Sequence, residues 1–103
     1  TKKLTIMTYD NVIKSAPVVL IEFYATWCGH CRRMEPVVED IKTLLKGEVQ
    51  LYQLDIDENR DVADEQRIEG TPTFILYKNG EEVWRWSGEI DGNTLLAKIQ
   101  HYI

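Results

Sequence analysis

The chain has 103 residues, of which 44% are hydrophobic and 28% are charged, and this predicts one globular domain with a core rather than a disordered segment. Its net charge of −5 disfavours binding to nucleic acid or to an anionic membrane surface. The longest apolar stretch is far too short to cross a bilayer. The charge and the short apolar stretch together predict that neither a nucleic acid nor a membrane is a partner.

The first quarter of the chain predicts two strands around a short helix. Residues 4–7 read as a strand, and Thr8 or Asp10 is placed to cap a brief helix after it. Residues 18–25 are mostly β-branched or aromatic, and Glu22 is the one charged residue among them. Such a run is typical of a strand that is buried on both faces of a parallel sheet.

A long helix and a second strand follow. Apolar residues recur at helical spacing from residue 29 to about residue 46, where Lys46-Gly47 is a stop signal. Pro36 lies inside this helix and predicts a kink, at a cost of about 3 kcal/mol. Residues 49–56 predict a strand, and Asn59 and Asp61 open a short helix that reaches about residue 67.

The last third predicts a hairpin and a final helix. Residues 72–77 and 82–86 flank Asn79-Gly80, a dipeptide that favours the two-residue turn of an antiparallel hairpin. Asp91 caps a helix that runs to about residue 102. These elements predict an α/β protein whose mixed, five-stranded sheet is flanked by four helices, with helices on both faces.

Both cysteines lie in the segment Trp27-Cys28-Gly29-His30-Cys31, at the mouth of the long helix. A thiol pair at this spacing can cycle between dithiol and disulfide. No hydrophobic signal region follows Thr1-Lys2-Lys3, which predicts a cytoplasmic protein, although the missing initiator Met leaves open an exported or periplasmic mature form. In the reducing cytoplasm two cysteines favour catalysis or metal binding over a structural bridge.

The chain resembles the thioredoxin family along nearly its whole length. Three segments carry the resemblance, in the family's order: Phe23-Tyr24-Ala25-Thr26-Trp27-Cys28-Gly29-His30-Cys31, Glu69-Gly70-Thr71-Pro72-Thr73-Phe74 and Tyr77-Lys78-Asn79-Gly80. The ordered set is specific, whereas a lone Cys-x-x-Cys is a weak signal. The resemblance implies a single thioredoxin domain over residues 1–103, with a cis bond before Pro72 that faces the cysteines.

The two cysteines receive different predicted roles. Cys28 stands before the helix, where unpaired backbone N–H groups and the helix dipole favour a thiolate, so it is the predicted nucleophile. Cys31, one turn inside and expected to be less exposed, resolves the mixed disulfide by attacking Cys28. The alternative is a zinc half-site or an inert bridge, but a closed zinc site needs four ligands and the chain has no second Cys pair.

Three neighbours of the cysteines are expected to tune the thiolate and the redox potential. An imidazolium or N–H of His30 would stabilise the Cys28 thiolate and make the disulfide more oxidising, unless His30 is a solvent-exposed residue without a role. Trp27 shields the thiol and presents an apolar surface, with core packing as the alternative. Gly29, which lies between the two cysteines, is the third residue expected to influence the thiolate and the redox potential. The Gly-His dipeptide resembles protein disulfide isomerase, whereas Glu89 stands where isomerase domains tend to carry a basic residue.

Glu22 is a carboxylate in an otherwise apolar strand. Burial should raise its pKa and equip it to take or return the proton of Cys31. The alternative is a carboxylate that reaches solvent or pairs with a cation. Thioredoxins usually place Asp here and often a Lys where this chain has Gln53, so the relay through Glu22 is expected to be tuned differently.

The remaining site residues follow from the resemblance. Pro72 leaves the backbone of Thr71 free to pair with an extended substrate strand, and Gly70 and Gly88 permit that peptide to approach closely. Trp84 and Trp86 share one face of the second hairpin strand and are expected to pack rather than bind.

We therefore predict a protein-disulfide reductase that needs no metal or organic cofactor beyond the redox-active pair Cys28–Cys31. No nucleotide-binding glycine fingerprint is present, so electrons come from another protein. The resemblance implies disulfide-containing proteins as substrates, a thioredoxin reductase as electron donor, and a monomer. Two alternatives remain: an oxidase or isomerase of an oxidising compartment, suggested by His30 and Glu22, and a binding module whose cysteines hold zinc or an iron–sulfur cluster.

Overall fold

The computed structural model describes residues 8–103, and the strand predicted at residues 4–7 lies outside them. In chain order the elements are α1 (Tyr9–Ile13), β1 (Val18–Tyr24), α2 (Gly29–Leu44), β2 (Gln50–Asp55), α3 (Arg60–Glu65), β3 (Thr73–Lys78), β4 (Glu81–Ser87) and α4 (Gly92–His101). Every helix and strand predicted after residue 8 is present, with ends that lie within two residues of the expected ones. No helix in this described range is long and apolar enough to span a bilayer.

The strands form one mixed sheet in the order β2-β1-β3-β4. β1 runs parallel to β2 and antiparallel to β3, which in turn runs antiparallel to β4. The described residues therefore form a sheet of four strands, whereas five were predicted. Because β1 has a neighbour on each side and helices above and below, its continuous apolar run is buried, as the sequence pattern predicts.

Helices cover both faces of the sheet, as predicted. Alternate residues of β1 point to opposite faces, so Leu20 packs in one layer and Ile21 in the other. The first layer is built with α2 and α4 and includes Leu20, Phe74, Val38 and Leu95. The second layer is built with α1 and α3 and includes Ile21, Ile75, Val12 and Ala63.

Local signals explain how several elements begin and end. Asn79 and Gly80 have φ values of 51° and 83° and form the two-residue turn between β3 and β4 that the dipeptide predicts. Asp91 caps α4 by accepting the backbone N–H of Thr94 at 3.2 Å. Pro36 lies inside α2 without ending it.

The sheet register brings two distant segments together. Phe23, near the end of β1, pairs with Thr73, the first residue of β3. Because these strands are antiparallel, the loop that precedes β3 lies beside the loop that joins β1 to α2. The first turn of α2 and Thr71-Pro72 therefore meet at one edge of the sheet.

Candidate active site

Cys28 is the N-cap residue of α2, with an extended backbone (φ −94°, ψ 115°). Its sulfur accepts the backbone N–H of Cys31 at 3.1 Å, which is the bond that a capping side chain makes. The thiol of Cys31 lies 2.6 Å from the same sulfur, and both cysteines are free. The sulfur of Cys28 also lies 3.4 Å from the carbonyl oxygen of Thr71, in the loop before β3.

The two thiols differ in how readily they ionise. Burial pushes the pKa of Cys28 upward, but hydrogen bonds from the side chains of Cys31 and Thr71 and from backbone N–H groups outweigh it, and the pKa of Cys28 lies below its usual value. Burial and the neighbouring Cys28 raise the pKa of Cys31 to about 11. The helix terminus therefore stabilises one thiolate and leaves the other thiol protonated at neutral pH.

The exposed area does not separate the cysteines. The exposed fraction is 5% for Cys31 and 6% for Cys28, so Cys31 is less exposed, as expected, but only by a narrow margin. Both residues pack with Ala25 in a small apolar cluster at the start of α2. What distinguishes them is the cleft that each one lines: Cys28 lines a cleft together with Thr71, and Cys31 lines another together with Glu22.

Thiol alkylation should report this asymmetry. At pH 6 iodoacetamide should modify Cys28 at least about tenfold faster than Cys31, because the pKa of Cys28 is lowered and that of Cys31 is raised to about 11, only the thiolate reacts, and the more basic thiolate regains part of the difference through its greater nucleophilicity. Peptide mass mapping after short exposures measures the ratio. Alkylation in denaturant, which should label both cysteines at similar rates, is the control, and equal rates in the folded protein would contradict the asymmetry.

A cleft of about 400 Å³ opens beside Cys28. Its lining includes Trp27, Gly29, His30, Gly70 and Thr71, together with Ile56, Ile68 and Glu69. The side chain of Trp27 is not core packing: the residue is 65% exposed, and its indole N–H donates to Asp57 Oδ2 at 2.9 Å. Trp27 thus presents an apolar wall next to the sulfur, held in place by a carboxylate.

The loop before β3 carries the other predicted binding residues. The Thr71-Pro72 bond is cis, as the resemblance implies. Gly88 donates its backbone N–H to the carbonyl of Pro72 at 2.7 Å, and its φ of 102° requires glycine whatever approaches it. A Cβ on Gly70 would meet no atom within 4 Å, so this residue borders open space in the cleft.

Glu22 is buried in β1, with 2% of its surface exposed. Burial raises its pKa to about 7, a shift that the hydrogen bond from Gln53 reduces and the charge of Glu35 increases. The amide of Gln53 donates to Glu22 Oε1 at 2.9 Å. Glu22 and Cys31 line a second cleft, of about 440 Å³. Burial raises the pKa of Glu22 as predicted, and Glu22 neither reaches solvent freely nor pairs with a cation among residues 8–103.

The ring of His30 contacts α2 and the loop after β4. Its Nδ1 lies 2.6 Å from Glu89 Oε2 and 2.8 Å from Arg33 Nη2. Arg33 also donates from Nε to the same oxygen of Glu89 at 2.9 Å. The role of His30 as a stabiliser of the Cys28 thiolate stays a prediction, and within the described range the ring nitrogen's partners are Glu89 and Arg33.

Sequence reasoning missed several partners of these residues. Neither Asp57, which holds Trp27, nor Arg33, which contacts His30, was predicted to belong to the site. Gln53 and Glu89 drew notice only as departures from related proteins, although they contact Glu22 and His30. No local signal identifies these pairs, because the partners are 30 to 59 positions apart except for Arg33 and His30.

Comparison with known proteins gives the family. The family model described as Thioredoxin matches residues 1–101. The chain belongs to the thioredoxin family. Chloroplastic thioredoxin Y of Oryza sativa subsp. japonica is 36% identical over 100 residues, which cover 96% of this chain and 60% of that protein. A thioredoxin of Rickettsia felis is 39% identical over 93 residues, which cover 90% of this chain and 89% of the relative.

A solved thioredoxin supports the same fold. A mutant thioredoxin from Halobacterium salinarum superposes with a TM-score of 0.81 at 36% identity, over 90% of this chain and 80% of that one. The predicted thioredoxin fold is thereby confirmed. The chain spans about 60% of the length of the chloroplast relative.

Family membership also bears on the chemistry. Thioredoxins are protein-disulfide oxidoreductases that act through their active-site cysteines and need no cofactor, which agrees with the predicted use of Cys28 and Cys31 alone. The relatives are thioredoxins of chloroplast and bacterial origin, and they support neither the isomerase nor the metal-holding alternative. Residues 8–103 contain no group of three or more His, Cys, Asp or Glu side chains suited to a metal ion.

Proposed function

We propose that this chain is a single thioredoxin domain that reduces disulfide bonds in other proteins by dithiol–disulfide exchange. The observation that carries the proposal is the position of the Cys28 sulfur, which caps α2, accepts the Cys31 N–H at 3.1 Å and lies 2.6 Å from the Cys31 sulfur. A nucleophile and its resolving partner are thus held within reach of each other.

The reaction proceeds in two exchanges. The Cys28 thiolate attacks one sulfur of the substrate disulfide, which forms a mixed disulfide and releases the other substrate sulfur as a thiolate that takes up a proton. Cys31 then loses its proton and attacks the Cys28 sulfur. This step forms the Cys28–Cys31 disulfide and releases the second substrate sulfur, so that two electrons have passed to the substrate.

Glu22 is the proposed acceptor of the Cys31 proton. A thiol with a pKa near 11 needs a base before it attacks, and a carboxyl group with a pKa near 7 exchanges protons readily at neutral pH. Both groups line the cleft of about 440 Å³, through which solvent can carry the proton between them and outward. Gln53 holds the carboxylate in place by its hydrogen bond.

The cleft beside Cys28 is the proposed binding site for the substrate peptide. Trp27 offers an exposed apolar wall, and the backbone of Thr71 beside the sulfur is placed to pair with an extended strand. The open space at Gly70 admits a close approach of that strand. Pro72 and Gly88 shape the loop that carries Thr71 and are assigned to the same surface.

The proposed partners are disulfide-containing proteins and a thioredoxin reductase, which returns two electrons and two protons to the Cys28–Cys31 disulfide. We place the protein in the cytoplasm or an equally reducing compartment and expect it to act as a monomer. A chain that must be re-reduced after each turnover works only where a reductant is supplied.

Insulin reduction and a redox titration together test this function. The chain should catalyse the precipitation of insulin by dithiothreitol, and its reduction potential should lie nearer to the roughly −270 mV of thioredoxin than to the roughly −180 mV of protein disulfide isomerase. Bovine serum albumin in place of the chain is the blank. A potential at the isomerase end, or precipitation no faster than the blank, would overturn the reductase assignment.

A further inference from the structure

His30, Arg33 and Glu89 form an exposed charged cluster on the rim of the cleft that holds Cys28. The side chains of His30 and Arg33 are 64% and 60% exposed, and that of Glu89 is 39% exposed. The backbone carbonyl of Glu89 accepts the indole N–H of Trp86 at 3.1 Å, which ties the loop after β4 to the sheet. The cluster therefore joins the first turn of α2 to an anchored loop.

The Nδ1 atom of His30 has a partner on this rim in either protonation state. When Nδ1 carries a proton it donates to Glu89, and when it carries a lone pair it accepts from Arg33, because one ring nitrogen cannot do both at once. The hydrogen bonds from His30 and then Arg33 hold the pKa of Glu89 below its usual value, so its carboxylate stays charged. The ring is thus held in place whether or not Nδ1 is protonated.

The Cys28 sulfur, by contrast, has hydrogen-bonding partners other than the His30 ring. Its partners in the described chain are the N–H and thiol of Cys31, the backbone N–H of His30, and the carbonyl and side chain of Thr71. The His30 ring contacts Arg33 on its own helix and Glu89 in the loop after β4, and His30 lines the cleft together with Cys28 and Glu69.

We propose that Glu89 is a positioning residue that holds the His30 ring on the rim and thereby limits how far the ring stabilises the Cys28 thiolate. The inference rests on the proposed function and names one control of its redox potential. A histidine between the cysteines that reached the thiolate would favour the dithiol and make the disulfide more oxidising. Glu89 keeps the disulfide less oxidising than the Gly-His dipeptide alone predicts.

A double-mutant cycle tests this role. The equilibrium constant of the Cys28–Cys31 pair with glutathione is measured for the unmodified chain, Glu89→Gln, His30→Gln and the double variant. Glu89→Gln should shift the constant about two- to fivefold toward the dithiol, since exposed charge pairs couple weakly. In the His30→Gln background, Glu89→Gln should shift the equilibrium constant by less than half as much, because no imidazole ring is then available to move toward Cys28.

A second readout and a matched control sharpen the result. The pH profile of Cys28 alkylation should move to lower pH in Glu89→Gln and less so in the double variant. Glu69→Gln removes a carboxylate from the same cleft without a contact to His30 in the described residues, and it should shift the constant less than Glu89→Gln does. Thermal unfolding verifies that each variant is folded.

The effect of Glu89→Gln with and without His30 decides whether Glu89 acts through the His30 ring. A smaller effect in the His30→Gln background supports the positioning role. An equal effect in both backgrounds means that the charge of Glu89 acts on Cys28 directly, and no effect in either means that the cluster is irrelevant to the potential; both results overturn the proposal. The equilibrium with glutathione needs no protein substrate. Failure to reduce insulin would therefore count against the proposed function, whereas the role of Glu89 could still be measured.

Discussion

Cys28→Ser is expected to lower the rate of insulin reduction at least about 10³-fold, to the level of the uncatalysed reaction. A serine hydroxyl is not ionised at neutral pH and forms no bond equivalent to the mixed disulfide, so the first exchange is lost. The backbone at this position should tolerate the change, because Ser is a favoured N-cap residue and can accept the Cys31 N–H as the sulfur does. The initial rate of insulin precipitation measures the loss.

Cys31→Ser is the matched partner of this variant. It keeps the Cys28 nucleophile but removes the resolving thiol, so a mixed disulfide with the substrate should accumulate at Cys28 to nearly one per chain. Non-reducing electrophoresis and mass spectrometry detect the adduct, which Cys28→Ser should not form under the same conditions. Adducts that appear equally on Cys31 in the Cys28→Ser chain would contradict the assignment of roles.

Glu22→Gln should raise the free energy of unfolding by about 3 kcal/mol at pH 8. Folding raises the pKa of Glu22 from 4.5 to about 7, and at about 1.4 kcal/mol per pKa unit the buried carboxylate costs this amount once it is ionised. Glutamine has the same shape, and its carbonyl can still accept the Gln53 hydrogen bond. Urea unfolding of both proteins measures the difference.

The stability gained by Glu22→Gln should depend on pH. Between pH 4.5 and 7 the folded chain binds the Glu22 proton more tightly than the unfolded chain does, so the contribution of Glu22 to stability falls as the pH rises. Below pH 4.5 both states are protonated and the penalty is absent. The gain from Glu22→Gln should therefore be near zero at pH 4, grow through pH 6, and level off above pH 7.

Glu35→Gln is the control for Glu22. Glu35 is an exposed helix residue in the cleft that Glu22 lines, and its charge contributes to the raised pKa of Glu22. Its replacement should change stability by less than about 1 kcal/mol and slow insulin reduction less than Glu22→Gln does, because the proton acceptor is retained. Glu22→Gln should slow the reduction by about tenfold through loss of the proton acceptor. A stability gain that is the same at pH 4 and pH 8 would contradict the assigned pKa of Glu22.

Much of the fold could be predicted because its signals are local. The apolar run of residues 18–25, the helical periodicity after Gly29 and the Asn79-Gly80 turn each depend on neighbours in the chain, and all three appear in the structure. The predicted sheet had five strands, and the structure has four within residues 8–103; the segment predicted as the first strand lies outside the described residues. The burial of Glu22 was also predictable, since a charged residue in the middle of an inner strand has no free face.

The partners of the site residues could not be predicted in this way. His30 contacts Glu89, Trp27 contacts Asp57 and Glu22 contacts Gln53, and each pair joins residues that are 30 or more positions apart. Strand register and the packing of loops bring these residues together, and no periodicity in a single segment encodes that. The near-equal exposure of the two cysteines, 6% and 5%, likewise follows from tertiary packing, in which both residues join a cluster with Ala25.

By itself, the sequence determined the order of the elements and the position of Cys28 at a helix N-terminus, because dihedral preferences and N–H groups left unpaired in the first turn are properties of short segments. The tertiary structure alone decided which groups surround each thiol. The β1–β3 register brings Thr71 to Cys28, and the loop after β4 brings Glu89 to His30. The electrostatic environment of a sulfur is a sum over neighbours in space, and chain folding sets those neighbours.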